Sequence, residues 1–95
     1  MKLISITTSS NPEKKYMAKF KMDTGREKTV HFGQKGARDF IKTKDPELKK
    51  AYIARHKVNE NFNDPTTAGA LSRWILWNKP TLRGSITDFK RKFNL

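Results

Sequence analysis

The chain has 95 residues, with 21 Lys and Arg against 9 Asp and Glu, for a formal net charge of +12. The absence of cysteine excludes disulfides and thiolate metal sites. No apolar run reaches the roughly 20 residues that cross a bilayer, and the apolar start Met1–Ile6 is too short for a secretory signal.

The length predicts one small basic domain over residues 1–95, a size at which only about 60–65% of the unfolded surface is buried. Leu3–Thr8 is rich in β-branched residues and reads as a strand, closed by the turn residues Ser9–Pro12. A second strand is predicted from about Lys14 to Met22. Tyr16, Ala18, Phe20 and Met22 share one face, and Lys15, Lys19 and Lys21 the other. Asp23–Arg26 makes a turn around Gly25, and a third strand follows over about Glu27–Phe32, with Val30 and Phe32 inward.

Gly33-Gln34-Lys35-Gly36 breaks the strand. Its glycines around Lys35 suit an anion-binding loop, but the spacing fits neither a P-loop nor a dinucleotide fingerprint, so a plain connection competes. Ala37–Ile41 suits a short helical turn. Asp45-Pro46-Glu47 then marks a helix start, predicted to run to about Val58 with Leu48, Ala51 and Tyr52 as its apolar stripe. After the polar connector Asn59–Asn63, anchored by Phe62, the pair Asp64-Pro65 predicts a central helix to about Asn78, with Leu71, Trp74 and Ile75 at core spacing. Ser85 and Asp88 suggest the start of a last helix, in which Ile86, Phe89 and Phe93 line one face. The sum is an α+β fold: an N-terminal antiparallel two- or three-stranded sheet packed against about three C-terminal helices.

Several blocks stand out: Val30-His31-Phe32-Gly33, Ala54-Arg55-His56, Asn61-Phe62-Asn63-Asp64-Pro65 and the long Ala68–Pro80 segment. On these, Lys14 to Phe93 resembles a family of small basic proteins encoded by large double-stranded DNA viruses of eukaryotes. The resemblance implies a viral source and fits an intracellular protein of the virion core, viral factory or host nucleus. It implies no catalytic residue.

A positive excess spread over the whole chain calls for a polyanion partner. Double-stranded DNA is the leading expectation, bound without strong sequence preference through phosphates, in genome packaging or chromatin association. The candidate contacts are Lys15, Lys19, Lys21, Arg26, Lys35, Arg55, Lys57, Arg73, Lys79, Arg83 and Arg91. The expected core, or alternatively dimerisation, residues are Tyr16, Phe20, Phe32, Tyr52, Phe62, Leu71, Trp74, Ile75 and Phe89. Trp74 is expected in the core, leaving one indole partly exposed. No RNP pair, zinc-finger spacing or zipper pattern is present.

Two alternatives stay open. The chain could be a homodimeric structural protein, or a factor binding an acidic host protein or chromatin. It could also be a metal-dependent nuclease, with His56, Glu60 and Asp64 brought to one face by a continuous helix. The connector argues against that continuity. No catalytic residue, metal ligand or cofactor is assigned.

Overall fold

Alternation builds the first layer. In the computed structural model, which describes residues 1–95, β1 (Lys2–Thr8), β2 (Lys14–Lys21) and β3 (Glu27–Gln34) form an antiparallel sheet in the order β1-β2-β3. Ala18 pairs with Ile6 on one side and Val30 on the other, and Tyr16 with Thr8 and Phe32. A bulge between Leu3 and Ser5 shifts the β1 register. The β2–β3 turn closes through Met22 and Arg26, with Gly25 at φ +86°. A side chain is strained in that left-handed conformation.

The second layer is helical: α1 (Phe40–Thr43), α2 (Pro46–His56), α3 (Ala68–Leu71) running directly into a π-helical segment (Ser72–Leu76), and α4 (Leu82–Phe93). The architecture is α+β, an antiparallel three-stranded sheet followed by helices. None of these helices is long and apolar enough to cross a membrane.

Asp45 caps α2 by accepting from Glu47 N at 2.9 Å, with Pro46 in the first turn. The helix ends at His56 rather than Val58, and Ala51, expected on its apolar stripe, is exposed. Leu48, Tyr52 and Ile53 face the core instead.

The central helix begins three residues later than Asp64-Pro65 suggests. Asp64 spends its carboxylate on Thr66, accepting from both the backbone N and the hydroxyl at 3.0 and 2.8 Å, and Thr67 becomes the cap by accepting from Ala70 N at 3.2 Å. The helix then widens: Trp77 N donates to Ser72 O, five residues back, at 3.1 Å. This extra residue per turn displaces Trp77 from the register that simple helical spacing assigns it.

α4 also starts elsewhere than expected. Thr81 caps it, accepting from Gly84 N at 3.0 Å, while Ser85 is fully buried and accepts from Lys79 N. Asp88 accepts from Asn78 Nδ2 at 2.8 Å, so the Ser85–Asp88 pair is not a capping box.

The core lies between the layers. Ala18, Phe20, Phe32, Leu71, Ile75 and Phe89 are essentially inaccessible, with Phe20 edge-on to Phe89 at 6.5 Å. Burying each such phenylalanine contributes about 1.5–3 kcal/mol. The helical layer packs tightly on the sheet at Gly33, where an added Cβ would lie 2.7 Å from Leu76 Cδ1 and 3.2 Å from Lys15 Cβ. Tyr16 packs at the core's edge.

Two expected core residues sit differently. Phe62 is half-buried and outside the core cluster; it secures the connector through its carbonyl, which accepts from Trp74 Nε1 at 2.7 Å. Trp74 packs against the core cluster but stays half-buried, whereas Trp77 is buried. The π-helical register accounts for the exchange, turning Trp77 inward against α2.

Candidate nucleic-acid interface

Trp77 stacks on Tyr52 with ring centres 4.5 Å apart and planes within 7°, and Tyr52 stacks in turn on His56 at 4.2 Å and 25°. Tyr52 and His56 are one helical turn apart on α2, so the α2 face and the displaced Trp77 together make a three-ring column. Burial pushes the Tyr52 phenol up to about 12, with the nearby Glu60 carboxylate adding to the shift.

The column forms part of the wall of a cleft of about 370 Å³ between the open end of the β2–β3 hairpin and the helical layer. Residues far apart in sequence meet there: Lys14 and Gln34 from the sheet, Arg38 before α1, Arg55 and His56 from α2, and Ser72 from the π-helical segment. Glu60 also reaches the cleft. Its Oε1 lies 3.3 Å from His56 Nδ1, and its Oε2 is buried without a hydrogen-bond partner against Gly69.

The rim is basic. Lys14, Lys35, Arg38 and Arg55 have no acidic side chain within ion-pair distance, 4.0 Å. Lys35, Arg38 and Arg55 are exposed. Lys35 lines a neighbouring groove with Lys14, Gln34 and Glu13, and another with Lys42. The Gly33–Gly36 stretch does not form a phosphate cradle. Gln34 still belongs to β3, Lys35 N donates to Glu13 O at 2.9 Å, and Ala37 N donates to Gln34 O.

Lys15 is the clearest correction among the expected phosphate contacts. Its ammonium is almost wholly buried and donates to Asp39 Oδ2 at 2.6 Å and to Ala37 O. Asp39 also caps α1 by accepting from Lys42 N at 2.8 Å. Lys15 therefore ties the strand to the start of the helical layer and is not available to a phosphate.

Arg73 is likewise engaged. It donates to Trp77 O at 2.8 Å and lies 4.1 Å from the Trp74 ring, and burial holds its pKa below the ordinary guanidinium range. Lys49 donates to Asn78 O at 2.7 Å. These two cations satisfy carbonyls at the end of the π-helical segment, where the backbone lacks partners. Burial, then repulsion from Arg73 and Lys79, lowers the Lys49 pKa.

The remaining expected contacts are dispersed. Lys21 and Arg26 flank the far hairpin turn, and Lys19 lies 3.9 Å from Glu27. Lys57 lines an outer groove of α2 with Lys49, Lys50 and Ile53. Lys79 and Arg83 flank the start of α4, and Arg91 near its end lies 3.5 Å from Asp88. Of the expected set, Arg55 is the free cation lining the cleft, and Lys35 lies in the adjoining groove.

Lys14 and Arg38 join them unanticipated. Lys14 carries a readable signal, since it continues the even-numbered inward face of β2 beyond the last residue the core covers. Arg38, in an irregular linker, carries none. His56 and Glu60 do meet, although α2 stops before Glu60, but Asp64 is turned to Thr66. No group of three His, Asp or Glu side chains is placed to hold a metal ion.

No curated protein and no solved structure matches the chain. A family of unknown function (DUF5754) matches residues 4–56, from β1 through the end of α2, which is more than half of the chain. With the sheet, the Lys15–Asp39 tie and two of the three stacked rings inside that span, the chain belongs to this family.

Proposed function

We propose that the protein is a non-enzymatic viral DNA-binding protein that grips the phosphate backbone with little sequence preference. The viral assignment rests on the resemblance of its sequence blocks to proteins of large double-stranded DNA viruses. The DNA-binding reading is carried by one observation: three cations free of acidic ion-pair partners, Lys14, Arg38 and Arg55, line one cleft, with Lys35 in the adjoining groove, on a chain of net charge +12. Unpaired lysines and arginines clustered on one side attract a polyanion, and release of its counterions drives binding.

Packaging of the genome in the virion core or viral factory, or chromatin association in the host nucleus, suits such a contact. The deciding measurement is the affinity for unrelated duplexes across a salt series. Binding that weakens steeply and equally for all duplexes supports the proposal, and no binding at low salt refutes it.

A further inference from the structure

Resting on the nucleic-acid reading, we propose that the cleft receives one unpaired nucleotide, with its base laid against the free face of His56 and its phosphates held by Lys14, Arg38 and Arg55. The three-ring column has an inner end in Trp77 and an outer end in His56, whose side chain is 34% exposed and lines the cleft. Tyr52 occupies one face of the imidazole. A base on the other face would continue the column at the spacing its members already keep.

Size and polarity agree. The cleft, at about 370 Å³, lies in the size range of small-ligand sites, about 300–1,000 Å³. Gln34 and Ser72 supply hydrogen-bonding groups in its lining, and the cations stand beside the aromatic wall. Stacking tolerates any base because every base offers a π-face, so the site adds a preference for unpaired strands without adding sequence specificity. The ring is held from its edge as well, since Glu60 Oε1 lies 3.3 Å from Nδ1 and Glu60 is itself seated over Gly69.

The test compares three fluorescent probes in anisotropy titrations of the full chain: a blunt duplex, the same duplex with a short single-stranded thymidine extension, and the same duplex with an abasic extension of equal charge. The base-bearing extension should bind about tenfold more tightly than the abasic one, as expected for one stacked base. His56→Ala should remove that ratio, while His56→Phe, which keeps a flat ring, should restore it. Equal affinity of the parent for the two extensions overturns the inference, and does so without relying on any variant. A ratio that survives His56→Ala also overturns it. In either case, salt-sensitive binding to the blunt duplex leaves the wider DNA-binding proposal standing; failure to bind any probe removes both.

Discussion

The carboxylate of Glu60 occupies the space that a β-carbon on residue 69 would fill. Glu60 therefore fills the space that glycine leaves open at the start of α3. In an ordinary helix, Gly→Ala stabilises by about 1 kcal/mol. Here the β-carbon would displace only the tip of the flexible Glu60 side chain, whose Oε2 has no hydrogen-bond partner to lose, so Gly69→Ala should still stabilise, by up to about 1 kcal/mol, while breaking the Glu60–His56 contact. Denaturant unfolding of Gly69→Ala, Glu60→Ala and the double variant checks this. The double variant should be at least as stable as Glu60→Ala alone. A loss of more than about 1 kcal/mol in Gly69→Ala that disappears in the double variant would show that Glu60 is held in place and cannot swing aside.

The buried Lys15–Asp39 pair leads to a different expectation. Removing one member of a buried pair leaves an uncompensated charge and costs about 3–5 kcal/mol. Lys15→Met should lower the unfolding midpoint strongly. Its effect on the salt dependence of DNA binding, measured where the variant is still folded, should be negligible. Asp39→Asn should also destabilise, although its side-chain oxygen can still cap α1.

Arg55→Ala and Arg38→Ala should behave in the opposite way. Both side chains are exposed and free of acids, so stability should change by no more than about 0.5 kcal/mol. Each should reduce the slope of log K against log salt by about 1. Lys21→Ala at the remote hairpin turn should leave the slope unaltered. Equal losses at all three positions would indicate diffuse adhesion in place of a localised interface.

Two titrations test the electrostatics. The hydrogen bond from Asn78 holds the Asp88 carboxyl below its ordinary value, against a smaller opposing effect of burial. For a depressed carboxyl the unfolded chain binds the proton first. Its stabilisation is therefore complete above the unfolded value, about 3.9, and is lost as pH falls through the folded value. Asp88→Asn should flatten the acid limb of the stability–pH profile. At the alkaline end, the raised Tyr52 phenol favours the folded state below pH 10 and loses that advantage as pH climbs towards about 12. In a Tyr16→Phe chain, where Tyr52 is the remaining tyrosine, phenolate absorbance should rise with a midpoint near 12.

The sheet was legible because its signals are local. Inward Tyr16, Ala18 and Phe20 alternate with outward side chains, and Gly25 sits where the turn needs it. The Asp45-Pro46 cap was legible for the same reason. The central helix was harder to read. Asp64-Pro65 carries the same signature as Asp45-Pro46, but Thr66 competes for the Asp64 carboxylate and Thr67 caps instead. No local pattern announces the π-helical turn, so helical spacing places Trp74 against the core but does not show that Trp77 is the more buried indole. The site was less visible still. A lysine that will be buried against Asp39 looks, in sequence, like the lysines that stay in solvent.

The Gly33–Leu76 approach also bears on the order in which the molecule is built. Each strand pairs with its neighbour in sequence, so the sheet closes from short loops at small entropic cost. The cleft needs residues 14 to 77 in place together, and Leu76 packs tightly on the sheet at Gly33. A bulkier residue at position 33 should uncouple the two, leaving hydrogen exchange in the β2–β3 ladder slow while the amides of α2 and the π-helical segment exchange freely. Such a chain would keep its hairpin and charge but lose the groove between sheet and helices, so the lifetime of the docked helical layer sets how long the groove itself persists.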